Sequence, residues 1–161
     1  MENQNLFIVQ DNPLEARELQ EFLNSRFGST LAISTFSDGE SVLREINANT
    51  KIVILDYDLK GEQADELLKS IRKINGNTEV IVLSSNEDIG TAIDAFRKGA
   101  KNYIIKGEKA PRKIFSLVYK IINYPVRILV ERFGINKILA IFLTYFIFIG
   151  ILVYIGMQLL Q

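Results

Sequence analysis

Four short apolar runs each end in a polar side chain of a type used to handle phosphate. Asp11 follows the run at 6–9, Asp56 follows 52–55, Ser84 follows 79–83 and Lys106 follows 102–105. Two carboxylates brought side by side repel one another and need a cation, and hard oxygen ligands favour Mg²⁺. A hydroxyl and an ammonium on neighbouring strands suit phosphoryl oxygens, one as donor and the other as point charge. Taken singly, each residue has a plainer reading: an Asp commonly follows a strand to start a turn, and Ser84 and Lys106 are ordinary turn and surface residues. Their recurrence at corresponding ends of successive runs points to phosphoryl chemistry.

Those ends must be held by rigid elements. The run 52–55 is an unbroken Ile-Val-Ile-Leu, the pattern of a strand covered on both faces in a parallel sheet. Ligands of open α/β folds bind beyond the carboxyl ends of such strands. Further strands are predicted at 6–9, 30–36, 79–83 and 102–105. Asn12 as cap and Pro13 in the first turn open a helix over 13–27, with Leu14, Leu19, Phe22 and Leu23 at roughly helical spacing. Ser37-Asp38-Gly39-Glu40 reads as a capping box, followed by a buried face of Val42, Leu43 and Ile46. Leu67, Leu68, Ile71 and Ile74 mark a third helix, terminated at 75–77. Asn86 is the expected cap of a fourth, with Ile89, Ile93 and Phe96 facing inward until Gly99. Pro111 opens a fifth, whose Ile114, Leu117, Val118, Ile121 and Ile122 form one stripe. Five strand–helix units recurring every 22–27 residues suit right-handed crossovers and a parallel sheet.

Composition narrows the chemistry. At 161 residues there is room for one ordinary domain and an appendage, and 48% hydrophobic residues suffice for a real core. The chain has neither Cys nor His. That excludes disulfides, thiol nucleophiles, a phosphohistidine carrier, a Ser–His–Asp triad and the commonest metal ligand. The net charge of zero hides a split: residues 1–108 hold 18 acidic and 12 basic side chains, whereas 109–161 hold 7 basic and 1 acidic. An acidic head on a basic, greasy tail predicts two physical environments. The first residues, MENQNLFIVQD, lack the basic and apolar regions of a signal peptide.

Through FIVQDNP, VILDYDLKG, VIVLSSNED and GAKNYIIKG, in that order, residues 5–122 resemble a receiver domain of bacterial two-component response regulators. The resemblance implies an α/β fold: a doubly wound, flavodoxin-like sheet of five parallel strands in the order 2-1-3-4-5. It implies Asp56 as phosphoacceptor, attacking a phosphohistidine on a sensor histidine kinase or phosphotransfer protein, and no enzymatic activity beyond this self-phosphorylation and autodephosphorylation. Asp11 would bind Mg²⁺ with Asp56 and the backbone carbonyl of Asp58. Ser84 would hydrogen-bond the attached phosphoryl group, Lys106 would pair with it, and Tyr103 matches the family's aromatic switch, which turns inward as the Ser84 loop moves. The helix 4–strand 5–helix 5 face is where the family meets its partners.

Two departures stand out. Gln10 occupies the first of two positions at which the family usually carries adjacent acids. Its amide can hydrogen-bond a metal-bound water, but one charge is lost, which predicts weaker Mg²⁺ binding unless Asp58 restores it. Gly107 stands where the family has a proline, and a cis Lys-Gly bond would cost about 2.5–4 kcal/mol, so a loop that is trans or mobile is expected. Ser85 is small and leaves the pocket open to a phosphodonor. Asp56-Tyr57-Asp58 also spells the D-x-D of haloacid-dehalogenase-type phosphatases, but it follows the third strand rather than the first, and Lys60 stands where that family has Thr or Val.

The tail reads differently. Residues 138–160 carry no charge, and as a helix would span about 34 Å against a hydrocarbon core of about 30 Å. Their 15 Leu, Ile, Phe and Val residues favour insertion by roughly 4–9 kcal/mol. Arg127, Arg132 and Lys137 precede the span and no charge follows it, so the positive-inside rule puts the head in the cytoplasm and Gln161 across the cell membrane. Residues 124–137 are expected to form a connector with Val126, Leu129, Val130 and Phe133 on one helical face, the pattern of either a stiff linker or an interfacial helix on anionic lipid. The expected organisation is a receiver at 1–123, the connector, and a span at 138–160. The 38 residues after the receiver leave no room for a DNA-reading helix-turn-helix or an effector enzyme, so the expected output is a protein partner and not nucleic acid. The two functional readings are a membrane-anchored, single-domain response regulator and a degenerate receiver that docks a partner at the bilayer without phosphorylation. Gln10 and Gly107 favour the second; Asp56, Ser84 and Lys106 favour the first.

Overall fold

A computed structural model describes residues 4–59, 64–123 and 137–159. Strands and helices alternate as β1 (Gln4–Val9), α1 (Pro13–Phe27), β2 (Leu31–Phe36), α2 (Gly39–Glu45), β3 (Thr50–Asp56), α3 (Ala64–Ile74), β4 (Glu79–Ser84), α4 (Ile89–Arg97), β5 (Asn102–Ile105) and α5 (Ala110–Ile122). A last helix, α6, runs over Lys137–Leu159. The strands form one parallel sheet in the order β2-β1-β3-β4-β5, as expected.

Ile52, Val53, Ile54 and Leu55 of β3 are fully buried, because helices cover both faces of the central strands. Phe7 and Phe36 meet edge to face at 5.0 Å on one side of the sheet. On the other, Phe27 of α1 stacks on Phe115 of α5 at 5.3 Å. Register then fixes which ends lie together. Val9 of β1 pairs with Leu55 of β3, Asp56 pairs with Leu83 of β4, and Ser84 pairs with Ile105 of β5. The residues that follow share one carboxyl edge.

The helix faces differ from the sequence pattern in places. In α1 the Asn12 cap accepts from the Leu14 amide as expected, but Leu14 itself is 63% exposed, and Ala16, Leu23 and Phe27 make the inward stripe. The cap of α2 is Asp38, whose Oδ1 accepts from Ser41 N at 2.8 Å; Ser37 instead donates its hydroxyl to Asp38. In α3, Leu67, Leu68 and Ile71 are buried but Ile74 is exposed. The largest difference is α4. Its cap is Asp88 rather than Asn86, and Ile89, Ile93 and Phe96 all point outward, Ile89 being 75% exposed. Ala95 faces the sheet instead, because a small side chain lets α4 lie close to it; large apolar residues are not obliged to be inside. Gly99 follows α4 at φ +112°, where a Cβ would come within 2.8 Å of the Arg72 side chain, so glycine alone fits this exit.

The chain divides into two units, Met1–Val118 and Tyr119–Gln161. Within the second, α6 covers the expected span to within one residue at each end. It is long and apolar enough to cross a membrane by length and composition, with Ile141–Gln158 free of charged residues. The connector at 124–136, with Arg127 and Arg132, lies outside the described residues.

The orientation of α4 has a direct test by chemical denaturation followed by circular dichroism. Ala95→Leu should destabilise the domain by about 1–3 kcal/mol through overpacking, whereas Ile93→Gln should stay within about 0.5 kcal/mol of the parent.

Candidate functional site

The carboxyl edge brings together a compact set of charges. Asp56, 2% exposed at the end of β3, accepts from the Asp58 amide on Oδ1 at 2.9 Å and from the Lys106 ammonium on Oδ2 at 2.7 Å. Lys106 is placed by the strand before it: its own amide donates to the Ser84 carbonyl at 2.9 Å, continuing the β4–β5 ladder past Ile105. The same ammonium lies 3.4 Å from Asp58 and 4.0 Å from Glu15. Burial alone would lower the Lys106 pKa, but the hydrogen bond to Asp56 and the charges of Asp56, Asp58 and Glu15 outweigh it and raise the value.

Ser84 is fully buried. Its hydroxyl donates to Asp58 Oδ1 at 3.1 Å and accepts from the Asn86 amide at 3.1 Å. The Ser85 amide donates to Asp58 Oδ2 at 2.8 Å. Burial would raise the Asp58 pKa, yet the bonds from Ser85 and Ser84 and the charge of Lys106 together hold it below the usual carboxylate value. The Asp58 side chain therefore faces Ser84, Ser85 and Lys106.

Gln10 also differs from its expected use. Both ends of its amide are committed within the protein, Nε2 donating to Glu15 at 3.0 Å and Oε1 accepting from the Asn12 amide at 3.1 Å. Glu15 thereby stands at the site's rim, also accepting from Asn12 Nδ2 at 2.9 Å. The sequence carried a signal for Glu15, an acid three residues after the helix cap, as in a capping box. Asp11, half-buried, follows Gln10 at the end of β1. Among the described residues no group of three or more His, Cys, Asp or Glu side chains is placed to hold a metal ion. The Asp11 and Asp56 carboxylates are nonetheless oxygen donors of the kind a hard dication takes, with a carbonyl and water completing its shell.

Tyr103 is half-buried, its ring edge to face with Tyr57 at 6.4 Å and its hydroxyl donating to the Asn86 carbonyl at 2.8 Å. It therefore touches the loop after Ser84. Tyr57 donates to Asp65, which also accepts from Lys98, joining the end of β3 to α3 and to the end of α4. Burial first, then the bond to Asp65, raises the Tyr57 pKa. Neither Asp65 nor Lys98 stood out in the sequence, because their pairing spans 33 residues. The peptide bonds of the described residues are all trans, including Lys106–Gly107, and Gly107 has φ +146° with open space around it. A pocket of about 510 Å³ opens beside Asp56 and Lys106, between Leu19 and Phe22 of α1 and Pro111 and Ile114 of α5.

Comparison with known proteins agrees with this geometry. The response regulator receiver domain profile matches residues 6–118. Over 80 residues the chain is 31% identical to the DNA-binding transcriptional regulator NtrC of Escherichia coli and of Klebsiella pneumoniae, an alignment covering 49% of this chain and 17% of the relative. The match thus spans about a sixth of those proteins' length. Among solved structures, the BeF3-activated DrrB receiver domain superposes with a TM-score of 0.66 at 22% identity, covering 76% of this chain and 99% of that one. TrrA of Thermotoga maritima, in complex with Mg²⁺-BeF, gives a TM-score of 0.61 at 23% identity, covering 73% and 98%. At such identities the likeness is one of fold.

The raised Lys106 pKa sets a pH dependence. Its stabilisation is fully present below the ordinary lysine value of about 10.4 and is lost as pH rises through the folded value. Lys106→Met should therefore be less stable than the parent at neutral pH, and the gap should narrow in denaturant titrations carried above about pH 10.4.

Proposed function

Because the chain belongs to the response regulator receiver domain family, we propose that it is a membrane-anchored receiver, phosphorylated on Asp56 by a sensor histidine kinase or phosphotransfer protein, that signals through a protein partner. The observation that carries the reading is Asp56 itself, a carboxylate at a strand end with an ammonium 2.7 Å away and a buried hydroxyl on the neighbouring strand. In the reaction an Asp56 oxygen bonds to phosphorus as the phosphorus–nitrogen bond of the donor breaks, and the bonding pair stays with the imidazole nitrogen. Lys106 and Ser84 then face a group carrying about two negative charges. Mg²⁺ held by Asp11, Asp56 and the Asp58 carbonyl would neutralise charge on the transferring group. Beyond this self-phosphorylation and its hydrolysis the reading includes no enzymatic activity.

The output surface in this reading is the α4–β5–α5 face, where Ile89, Ile93 and Phe96 are exposed beside Ile105. Tyr103 links it to the site by touching both Tyr57 and the Asn86 carbonyl. Helix α6 anchors the receiver in the cell membrane, with the receiver on the cytoplasmic side. Tethering raises its effective concentration near a membrane-bound kinase. The second reading, a docking module independent of phosphorylation, is favoured by Gln10, whose neutral amide is fully engaged by Glu15 and Asn12.

Incubation of the full chain with acetyl phosphate and Mg²⁺, followed by intact-mass measurement, should show one added phosphoryl group, absent from Asp56→Asn. Absence of the adduct from both proteins would favour the docking module. Separately, the full chain should resist carbonate extraction from membranes, and a chain lacking Lys137–Leu159 should be released. Release of both would remove the anchor from the reading.

A further inference from the structure

The groups that would grip a phosphoryl group on Asp56 already hold an anion belonging to the protein. Asp58 Oδ1 takes the Ser84 hydroxyl at 3.1 Å, and Oδ2 takes the Ser85 amide at 2.8 Å and lies 3.4 Å from the Lys106 ammonium. These come from β4, the loop after it and the end of β5, so the carboxylate ties three separate segments to the one after β3.

We propose that Asp58 is the resident ligand of this anion site, and that a phosphoryl group on Asp56 binds Ser84, Ser85 and Lys106 by displacing the Asp58 carboxylate. The proposal rests on the reading of Asp56 as phosphoacceptor and deepens it. A carboxylate two residues along the same chain competes at a high effective concentration, which a free anion has to overcome. A phosphoryl group covalently fixed to Asp56 meets the carboxylate on equal terms and brings about twice its charge to Lys106. Asp58 thus makes the site selective for a tethered dianion over free anions in solution. It also keeps the loop after Ser84 in an anion-bound arrangement at rest, so phosphorylation exchanges one ligand for another and does not fill an open site.

The test is a beryllofluoride titration of the full chain in detergent micelles, followed by ¹⁹F NMR at saturating Mg²⁺ so that metal affinity does not enter. Removing the competitor in Asp58→Ala should lower the half-saturating concentration about tenfold or more, the size of one charge-assisted hydrogen bond. Asp58→Asn, which can still accept from Ser85 but carries no charge for Lys106, should fall between. In the anion-free protein the Ser85 amide proton should shift upfield in Asp58→Ala, reporting loss of the 2.8 Å bond whatever happens to binding. Uptake by the parent with an equal or higher half-saturating concentration in Asp58→Ala would overturn the proposal and leave the phosphoacceptor reading intact. An unmoved Ser85 amide would overturn it too. No uptake by any of the proteins would sink the phosphoacceptor reading, and the displacement with it.

Discussion

Asp56 is almost entirely removed from water, and a charge so placed must be satisfied by its neighbours. The Lys106 ammonium and the Asp58 amide do this, and each is there because of the sheet. Lys106 arrives through the parallel register of β4 and β5, and Asp58 through the turn that β3 makes on leaving the core. The apolar run of β3 therefore does two things. It places its last residue at the sheet's edge, and it leaves that residue's carboxylate dependent on groups supplied by other strands.

Around that pair the charge is unbalanced in a useful way. Three carboxylates, on Asp56, Asp58 and Glu15, lie within 4.0 Å of one ammonium. Such a cluster is tolerated because each carboxylate also accepts hydrogen bonds, from Asp58 N, from Ser84 and Ser85, and from Gln10 and Asn12. Neutral donors that stabilise a carboxylate serve a phosphoryl oxygen equally well. The site at rest is thus built from the same interactions that its proposed chemistry needs.

The loop after β4 is where site and surface meet. Ser84 and Ser85 contact Asp58 through the hydroxyl and the backbone amide, the Asn86 amide donates to the Ser84 hydroxyl, and the Asn86 carbonyl accepts from Tyr103. Tyr57 extends the network on the other side, through Asp65 to Lys98 at the end of α4. Helix α4 presents its large apolar side chains outward and rests on Ala95, so the element bordering the loop also exposes Ile89, Ile93 and Phe96. Movement of the loop would be felt there first.

Much of this was legible in the chain alone. The apolar runs, their polar ends, the Asn12–Pro13 helix start and the uncharged segment at 138–160 are local features that follow from backbone periodicity and solvation, and the parallel α/β sheet and observed α6 agree with them, while the strand order agrees with what the family resemblance implied. The proximity of Asp56, Ser84 and Lys106 also followed, since parallel strands bring equivalent ends together. What the sequence could not decide depends on distances between elements. Helical spacing alone cannot tell whether α4 turns Ile89, Ile93 and Phe96 or Ala95 to the sheet, because that depends on how closely the helix approaches it. Nor can it say that Ser84, Ser85 and Lys106 share the Asp58 carboxylate, or that Gln10 draws in Glu15. Those pairings arise only when register and turn geometry bring distant side chains within hydrogen-bonding reach, and tertiary structure alone settled them.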